Sequence, residues 1–373
     1  MMEKYNISPE TILCDCCSHS EERVPELGYN ICERRRGLIP QVLKPVLEKR
    51  EEYKRLAEEA SGRELADDYD KRQEALKWVL VTCFGYLGYR NARFGRIEAH
   101  EAVTAFARRN LLKASRMAED SGYEVVHGIV DSLWVKKPGV SLRELESLCD
   151  RIRERVGLPI SPERIYRWIV FPTSRVSARL PVMNRYYGVF IDGGLKARGI
   201  MMRRSDTPDL IKRAQREMLR KLSSAKCADD FQVKISEALK VVEEYADRLK
   251  NRDVKASELA VEKQLLHHPN SYRADTRSAV ASRQLMEAGV ELHAGQKVSY
   301  VVTSAKSEKT RFRVRPIQLL NREKKYDTNW YVDLLLTAAE EILSPFGYRA
   351  DRIKSELFRL GEQAKFREGG ANS

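Results

Sequence analysis

Residues 123–135 read YEVVHGIVDSLWV. Two runs rich in β-branched and aromatic residues flank a short turn, the pattern of an antiparallel hairpin. The only carboxylate in that turn is Asp131. One acid at a hairpin tip serves equally well as an ordinary solvated turn or as half of a metal site that needs two, and these residues alone leave both open.

The neighbouring segments give the hairpin a context. Over 98–119 the apolar positions Val103, Phe106, Leu111, Ala114 and Met117 keep helical spacing, which predicts a helix packed on one side. After the hairpin a helix is predicted over 141–156, strands over 165–171 and 187–191, and a turn at 192–194 (DGG). Helices behind an antiparallel sheet make this part α+β. Upstream, 37–59 reads as a long exposed helix, 61–70 (SGRELADDYD) as a polar turn, and a second helix runs from Lys71 to about Cys83. The simple reading is a pair of antiparallel projecting helices. Beyond Asp206 the character is mostly helical, over 207–222, 228–249 and 329–343. Between the last two lie a strand, KVSYVVTS (297–304), and a basic stretch, KTRFRVRP (309–316), whose alternating arginines would share one strand face unless they pair with nearby acids. The last residues, REGGANS, are expected to be disordered.

At 373 residues the chain is long enough for two or three folding units. Its formal charge of +13 and pI near 9.3 favour a polyanionic partner, nucleic acid or an anionic surface. No apolar run is long enough to span a bilayer, and the first residues, MMEKYNISPE, lack the features of a signal peptide, so a cytoplasmic location is expected. Seven cysteines are too sparse for a secreted disulfide scaffold, yet Cys14, Cys16, Cys17 and Cys32 cluster. Their spacing fits a zinc site poorly even with His19 nearby; a Cys17 to Cys32 disulfide and simple free thiols are the alternatives. His267 and His268 lack a second ligand pair and read as structural.

Arg50 and Lys54 stand four apart on the first projecting helix, and Lys77 is on the second. Together they would form a cationic cleft suited to a triphosphate, although charges at this spacing are more often a solvated helix face.

The order of segments decides more than any one of them. YNISPET, GLIPQVLKPVLEKREEYK, LKWVLVTCFGYLGY, VVHGIVDSLWV, NRYYGVFIDGGLKARGI and YDTNWYVDLLLTAAEEILSPFGY follow one another at spacings that resemble the C-terminal half of a family B DNA polymerase of archaeal type. The resemblance implies a palm with antiparallel sheet and helices behind it, two-helix fingers and a mostly helical thumb. On this reading 1–37 is a palm segment, 38–87 the fingers, 88–206 palm and 207–373 thumb. It implies that Arg50, Lys54 and Lys77 bind the incoming dNTP. The second fingers motif of the family reads K-x-x-x-N-S-x-Y-G, whereas here KWVLVTCFG puts Val81, Thr82 and Phe84 in place of Asn, Ser and Tyr. The family's hairpin turn reads Y-x-D-T-D-S. Here His127, Gly128, Ile129, Val130, Asp131 and Ser132 correspond, so one of two acids is replaced by Ile129.

The expected chemistry is template-directed nucleotidyl transfer by two Mg²⁺ ions, with Asp131 as catalytic and metal-binding acid. The family's D-x-x-S-L-Y-P-S-I strand would lie just before YNISPET, so the chain is expected to begin in mid-palm. An N-terminal half carrying the exonuclease domain and the palm Asp would then be a partner, as would primer-template DNA and a sliding clamp. Similarity is greatest to an archaeal lineage with degenerate catalytic motifs. Expected DNA contacts are Arg185, Tyr186 and Tyr187 in the basic-aromatic NRYYGVF segment. Lys196, Arg198, Arg203 and Arg204 belong to a stretch, 196–221, with nine basic against three acidic residues. Tyr272, Arg273 and Arg277 complete the set. The competing function is a non-catalytic DNA-binding scaffold for replication or repair.

Overall fold

Helix α1 (Leu38–Glu59) begins at Gly37, which has no side chain with which to cap it. Residues far upstream do so instead. Asn6 Oδ1 accepts from Gly37 N at 2.8 Å, Glu10 Oε1 from Leu38 N at 2.5 Å and Ser8 Oγ from Ile39 N at 3.3 Å. The polar residues of YNISPET therefore satisfy the orphan donors of the first turn of α1. Helix α2 (Arg63–Leu87) packs along α1 and starts eight residues before the predicted Lys71. Leu65 and Ala66 favour helix, and Glu64 complements the positive end of the helix dipole, so the predicted polar turn shrinks to 60–62.

The structure, a computed structural model, describes residues 1–174, 181–227, 229–320 and 325–357. It divides into two compact units, Met1–Glu163 and Arg164–Ser373, the boundary falling inside the predicted 88–206 segment. The predicted tail 367–373 lies outside the described residues.

In the first unit α3 (Ile97–Asp120) is shared by two cores. Its N-terminal half buries Ala99, Ala102, Val103 and Phe106 against Ile7, Ile12, Val24, Ile31 and Leu87 at the end of α2. Tyr5 stacks on Phe106 with ring centroids 3.9 Å apart. Its C-terminal half buries Ala114 and Ala118 with Tyr123 and with Leu148, Ile152 and Val156 of α4 (Leu142–Val156). The hairpin strands β1 (Glu124–Ile129) and β2 (Ser132–Lys136) lean on the same core through Val125, Leu133 and Val135. Helix α4 is delimited as its sequence suggests, by a Ser141/Glu144 capping box and by Gly157 in the left-handed conformation.

The second unit opens with the antiparallel sheet β3 (Tyr166–Val170), β4 (Tyr186–Phe190) and β5 (Leu195–Arg198). The last of these strands was not predicted. At Gly199, φ is +68° and a Cβ would collide with the Asn184 carbonyl, so glycine closes that sheet. Helices α5 (Asp209–Ser223), α6 (Asp230–Lys250), α7 (Arg277–Glu287) and α8 (Thr328–Leu343) surround one core with a second antiparallel sheet, β6 (Val261–Gln264), β7 (Lys297–Val302) and β8 (Val314–Pro316). The stretch 309–316 departs from prediction. Backbone bonds Phe312 N to Lys309 O and Arg313 N to Thr310 O wind 310–312 into a tight helical turn, and only 314–316 is strand. Its arginines do not share a face: Arg311 pairs with Glu287 at 2.8 Å, and Arg313 and Arg315 donate to the carbonyls of Ser307 and Leu319. The fold is α+β, with small antiparallel sheets, and no described helix is long and apolar enough to cross a membrane.

Burial raises the pKa of the Glu10 carboxyl, but hydrogen bonds from the Ser8 hydroxyl and Leu38 N–H outweigh it and hold the value below the ordinary one. A carboxylate so depressed adds stability that is complete above its unfolded pKa and is lost as pH falls through the folded value. Glu10→Ala is therefore expected to cost about 1 kcal/mol at neutral pH, by loss of a helix cap. In urea titrations the gap between variant and wild type should close below about pH 4; an undiminished gap in acid would refute the capping role.

Candidate nucleic-acid interface

The register of α1 against α2 is set by aromatic contacts. Tyr53 stacks with Tyr69 at 6.0 Å, and the Arg72 guanidinium lies 5.8 Å from the Tyr53 ring. Arg50, one turn back along α1, thus faces the part of α2 near Gln73, and Lys77 follows one turn farther on. The Arg50 side chain is only 20% exposed, and its Nε is buried without a hydrogen-bond partner among the described residues. Gln73 Oε1 is in the same condition. Lys54 pairs with Glu51 at 2.8 Å, and Lys77 is exposed. The rest of α1 carries ion pairs such as Lys49–Glu52 and Arg55–Glu59, a solvated face as the alternative reading predicts. On α2, the Thr82 hydroxyl donates to Trp78 O and Val79 O, Val81 is exposed, and Phe84 stacks on His100 at 4.3 Å. Phe84 therefore anchors the base of α2 to α3.

The hairpin forms as predicted, with Ile129 paired to Ser132 across a two-residue turn of Val130 and Asp131. A bulge at Val126 brings His127 opposite Trp134, ring centroids 5.4 Å apart. Burial lowers the pKa of His127, which favours its neutral form. Val130 sits at φ +54°, a conformation that costs a β-branched residue energy. Asp131 is exposed, and Ser132 Oγ donates to it at 3.3 Å. Two divalent cations need several oxygen ligands each, and one carboxylate supplies at most two. Among the described residues no group of three or more His, Asp or Glu side chains converges around Asp131. This donor set does not fit a two-ion centre by itself.

In the second unit the predicted DNA contacts separate into two classes. Arg185 and Arg204 pair with the nearly buried Glu341 at 3.4 and 2.8 Å, and Glu341 also accepts from Met201 N at 2.7 Å and Gln215 Nε2 at 3.1 Å. Tyr186 is buried. Tyr187 is wholly enclosed, its hydroxyl donating to the Ile342 carbonyl, so the predicted duplex contact is corrected to a core residue. Tyr272 accepts from Leu266 N at 2.8 Å, and Arg277 lies 4.9 Å from the Trp330 ring. Within α5, Lys212 pairs with Asp209 and Arg213 with Glu258. Lys196 is half buried on β5, whereas Arg198, Arg203 and Arg273 are exposed and make no salt bridge among the described residues. Arg220 and Lys221 at the end of α5 are exposed as well.

Sequence reasoning undervalued one group. Cys14, Cys16, Cys17 and Cys32 bring their sulfurs within 4.8 Å of one another. The signal was present, since Cys14 and Cys17 form a C-x-x-C pair inside the CDCC run.

The sequence profile of DNA polymerase family B matches residues 1–346. A DNA polymerase of Archaeoglobus fulgidus is 28% identical, over 95% of this chain and 45% of its own length. DNA polymerase 2 of Saccharolobus solfataricus is 35% identical over 230 residues, 62% of this chain and 32% of that protein. The structure of the family B DNA polymerase from the hyperthermophilic archaeon Pyrobaculum calidifontis superposes with a TM-score of 0.60 at 28% identity, covering 91% of this chain and 43% of that one. The chain thus spans less than half the length of these relatives.

Val130→Gly removes the steric cost of a left-handed backbone, and a gain of about 1 kcal/mol in unfolding free energy is expected. Chemical denaturation measures it, and a loss of stability would mean that the added freedom of glycine in the unfolded chain outweighs the relieved strain.

Proposed function

The chain belongs to family B of the DNA polymerases, and on that footing we propose that it takes part in template-directed nucleotidyl transfer, gripping the triphosphate of an incoming dNTP and holding primer-template DNA. The observation that carries this reading is the buried, unpartnered Nε of Arg50 in the α1–α2 pair, with Lys54 one turn along. A buried guanidinium N–H without an acceptor is costly, and a phosphate oxygen would satisfy it. In this reading α1 and α2 act as fingers, and Arg50, Lys54 and Lys77 order the triphosphate. The hairpin belongs to the palm, Arg198, Arg203 and Arg273 hold the DNA backbone, and the helices of the second unit serve as thumb.

Asp131 is the one acid at the hairpin tip, and no group of three or more His, Asp or Glu side chains converges on it among the described residues, so we look to another source for the remaining carboxylates of the divalent cations, Mg²⁺ by preference. We assign them to an N-terminal polymerase half with its exonuclease domain and palm Asp, acting in the cytoplasm together with a sliding clamp. Ile129 in place of an acid supports membership of the lineage with incomplete catalytic motifs. The same feature favours the second reading, a replication or repair scaffold that binds DNA without chemistry.

Two experiments separate these readings. The chain alone should bind primer-template DNA in fluorescence anisotropy, with affinity falling steeply between about 50 and 200 mM salt. Arg198→Ala, Arg203→Ala and Arg273→Ala should each weaken binding and flatten the salt dependence; binding indifferent to salt would refute the interface. In a complex with a polymerase half that carries the palm Asp, slow primer extension should appear, disappear in Asp131→Ala and rise in Ile129→Asp. Extension unaffected by Asp131→Ala would overturn the role of the hairpin, whereas DNA binding without extension under any divalent metal would establish the scaffold.

A further inference from the structure

The sulfurs of Cys14, Cys16, Cys17 and Cys32 converge with a geometry that matches one kind of ligand. Cys16 Sγ lies 3.8 Å from Cys17 Sγ and 3.6 Å from Cys32 Sγ, the Cys17 to Cys32 separation is 4.0 Å, and all four sulfurs fall within 4.8 Å. Bonds of about 2.3 Å from a tetrahedral zinc ion would set its thiolates about 3.8 Å apart. A disulfide needs about 2.0 Å between two sulfurs, and pairing any two here would leave the others in the same pocket without a partner. Cysteines of an iron–sulfur cluster bind different irons at the corners of a larger cage and stand farther apart.

The surroundings are those of a tetrathiolate centre. Asn30 Nδ2 donates to the carbonyls of Cys14 at 2.8 Å and Cys17 at 3.0 Å, and lies 3.6 Å from Cys14 Sγ. Cys17 and Cys32 are buried while Cys16 is exposed, leaving an entry path for an ion. Four thiolates around a dication carry a net charge of −2, and the run Arg34, Arg35 and Arg36 lies just beyond Glu33, the residue after Cys32.

We propose that Cys14, Cys16, Cys17 and Cys32 form a structural zinc site that fastens the 14–17 loop to the lead-in of α1. The Cys32 carbonyl accepts from Asn6 Nδ2 at 2.9 Å, and Asn6 Oδ1 holds Gly37 N, so the metal is two hydrogen bonds from the start of α1.

The full chain, purified under reducing conditions without added metal, should contain about one zinc per molecule by elemental analysis. Replacing it with Co²⁺ should give the visible bands and sulfur charge-transfer absorption of a tetrahedral tetrathiolate. Four thiols should react with a disulfide reagent only after a chelator is added, and the chelator should lower the melting temperature. Cys32→Ser should abolish stoichiometric zinc, while Cys227→Ser, at an exposed cysteine outside the cluster, should keep it. If Cys32→Ser does not fold, the wild-type metal content and cobalt spectrum decide alone. A metal-free chain with four freely reactive thiols, a Cys17–Cys32 disulfide by mass spectrometry, or an iron–sulfur chromophore would each overturn the proposal.

Discussion

The two-sided burial of helix α3 is the constraint on which the first unit depends. Its 24 residues extend about 36 Å at the α-helical rise. One half is buried among the N-terminal residues and the foot of α2, the other beneath the hairpin and α4. Alanines at 99, 102, 105, 114 and 118 let neighbouring backbones approach closely, and Phe106 contributes the largest single apolar burial on the helix, worth about 2 to 3 kcal/mol. A rigid rod held at both ends fixes the hairpin tip relative to the foot of the helical pair. The capping of α1 by Asn6, Ser8 and Glu10 adds a second anchor at the same foot. Loss of either would let the cationic helices swing without unfolding them.

The electrostatics of α1 explain how a charged helix can be both solvated and ready for an anion. Its i,i+3 and i,i+4 pairs lie on exposed side chains, where each contributes less than about 1 kcal/mol. Exchange of Glu51 for a phosphate oxygen on Lys54 therefore costs little. Arg50 differs because its side chain is largely enclosed and one donor has no acceptor. In a partly desolvated seam the same charge attracts an anion more strongly than it would in water. On the proposed function, selectivity for a polyphosphate would rest on one residue with an unfilled hydrogen bond beside others whose partners are readily replaced.

Periodic elements were legible in the sequence, and commitments of individual side chains were not. Helices α1, α3, α4, α5, α6 and α8 and the hairpin came from apolar spacing and turn chemistry, because burial on one face imposes that spacing. The early start of α2 was missed because its first two turns are polar, so amphipathicity carries no signal there. Tyr187 reads as a surface aromatic beside Arg185, and only the three-dimensional core shows its hydroxyl satisfied by Ile342. Arg185 and Arg204 read as free cations, yet both converge on Glu341, more than 130 residues away in sequence. Sequence charge counts overstate the cations available to DNA wherever long-range acids claim them. The cysteine cluster was legible, but its irregular spacing along the chain says little about how close the sulfurs come once the loop folds back on itself.

The turn at Val130 and Asp131 holds the strongest tension between sequence and backbone. The cross-strand pairing of His127 with Trp134 and of Ile129 with Ser132 leaves two residues to reverse the chain. A turn so short demands a positive φ, for which glycine or asparagine is the usual choice. Here valine accepts it at φ +54° with its side chain 70% exposed, so the strain is not offset by packing of that side chain. Strained backbone persists where the surrounding structure over-determines it. The bulge at Val126 and the packing of Leu133 and Val135 on α3 fix the strand register, and that register presents Asp131 at the tip. The hairpin therefore presents its single carboxylate at the tip, as the proposed function requires, with Ile129 standing two residues before it.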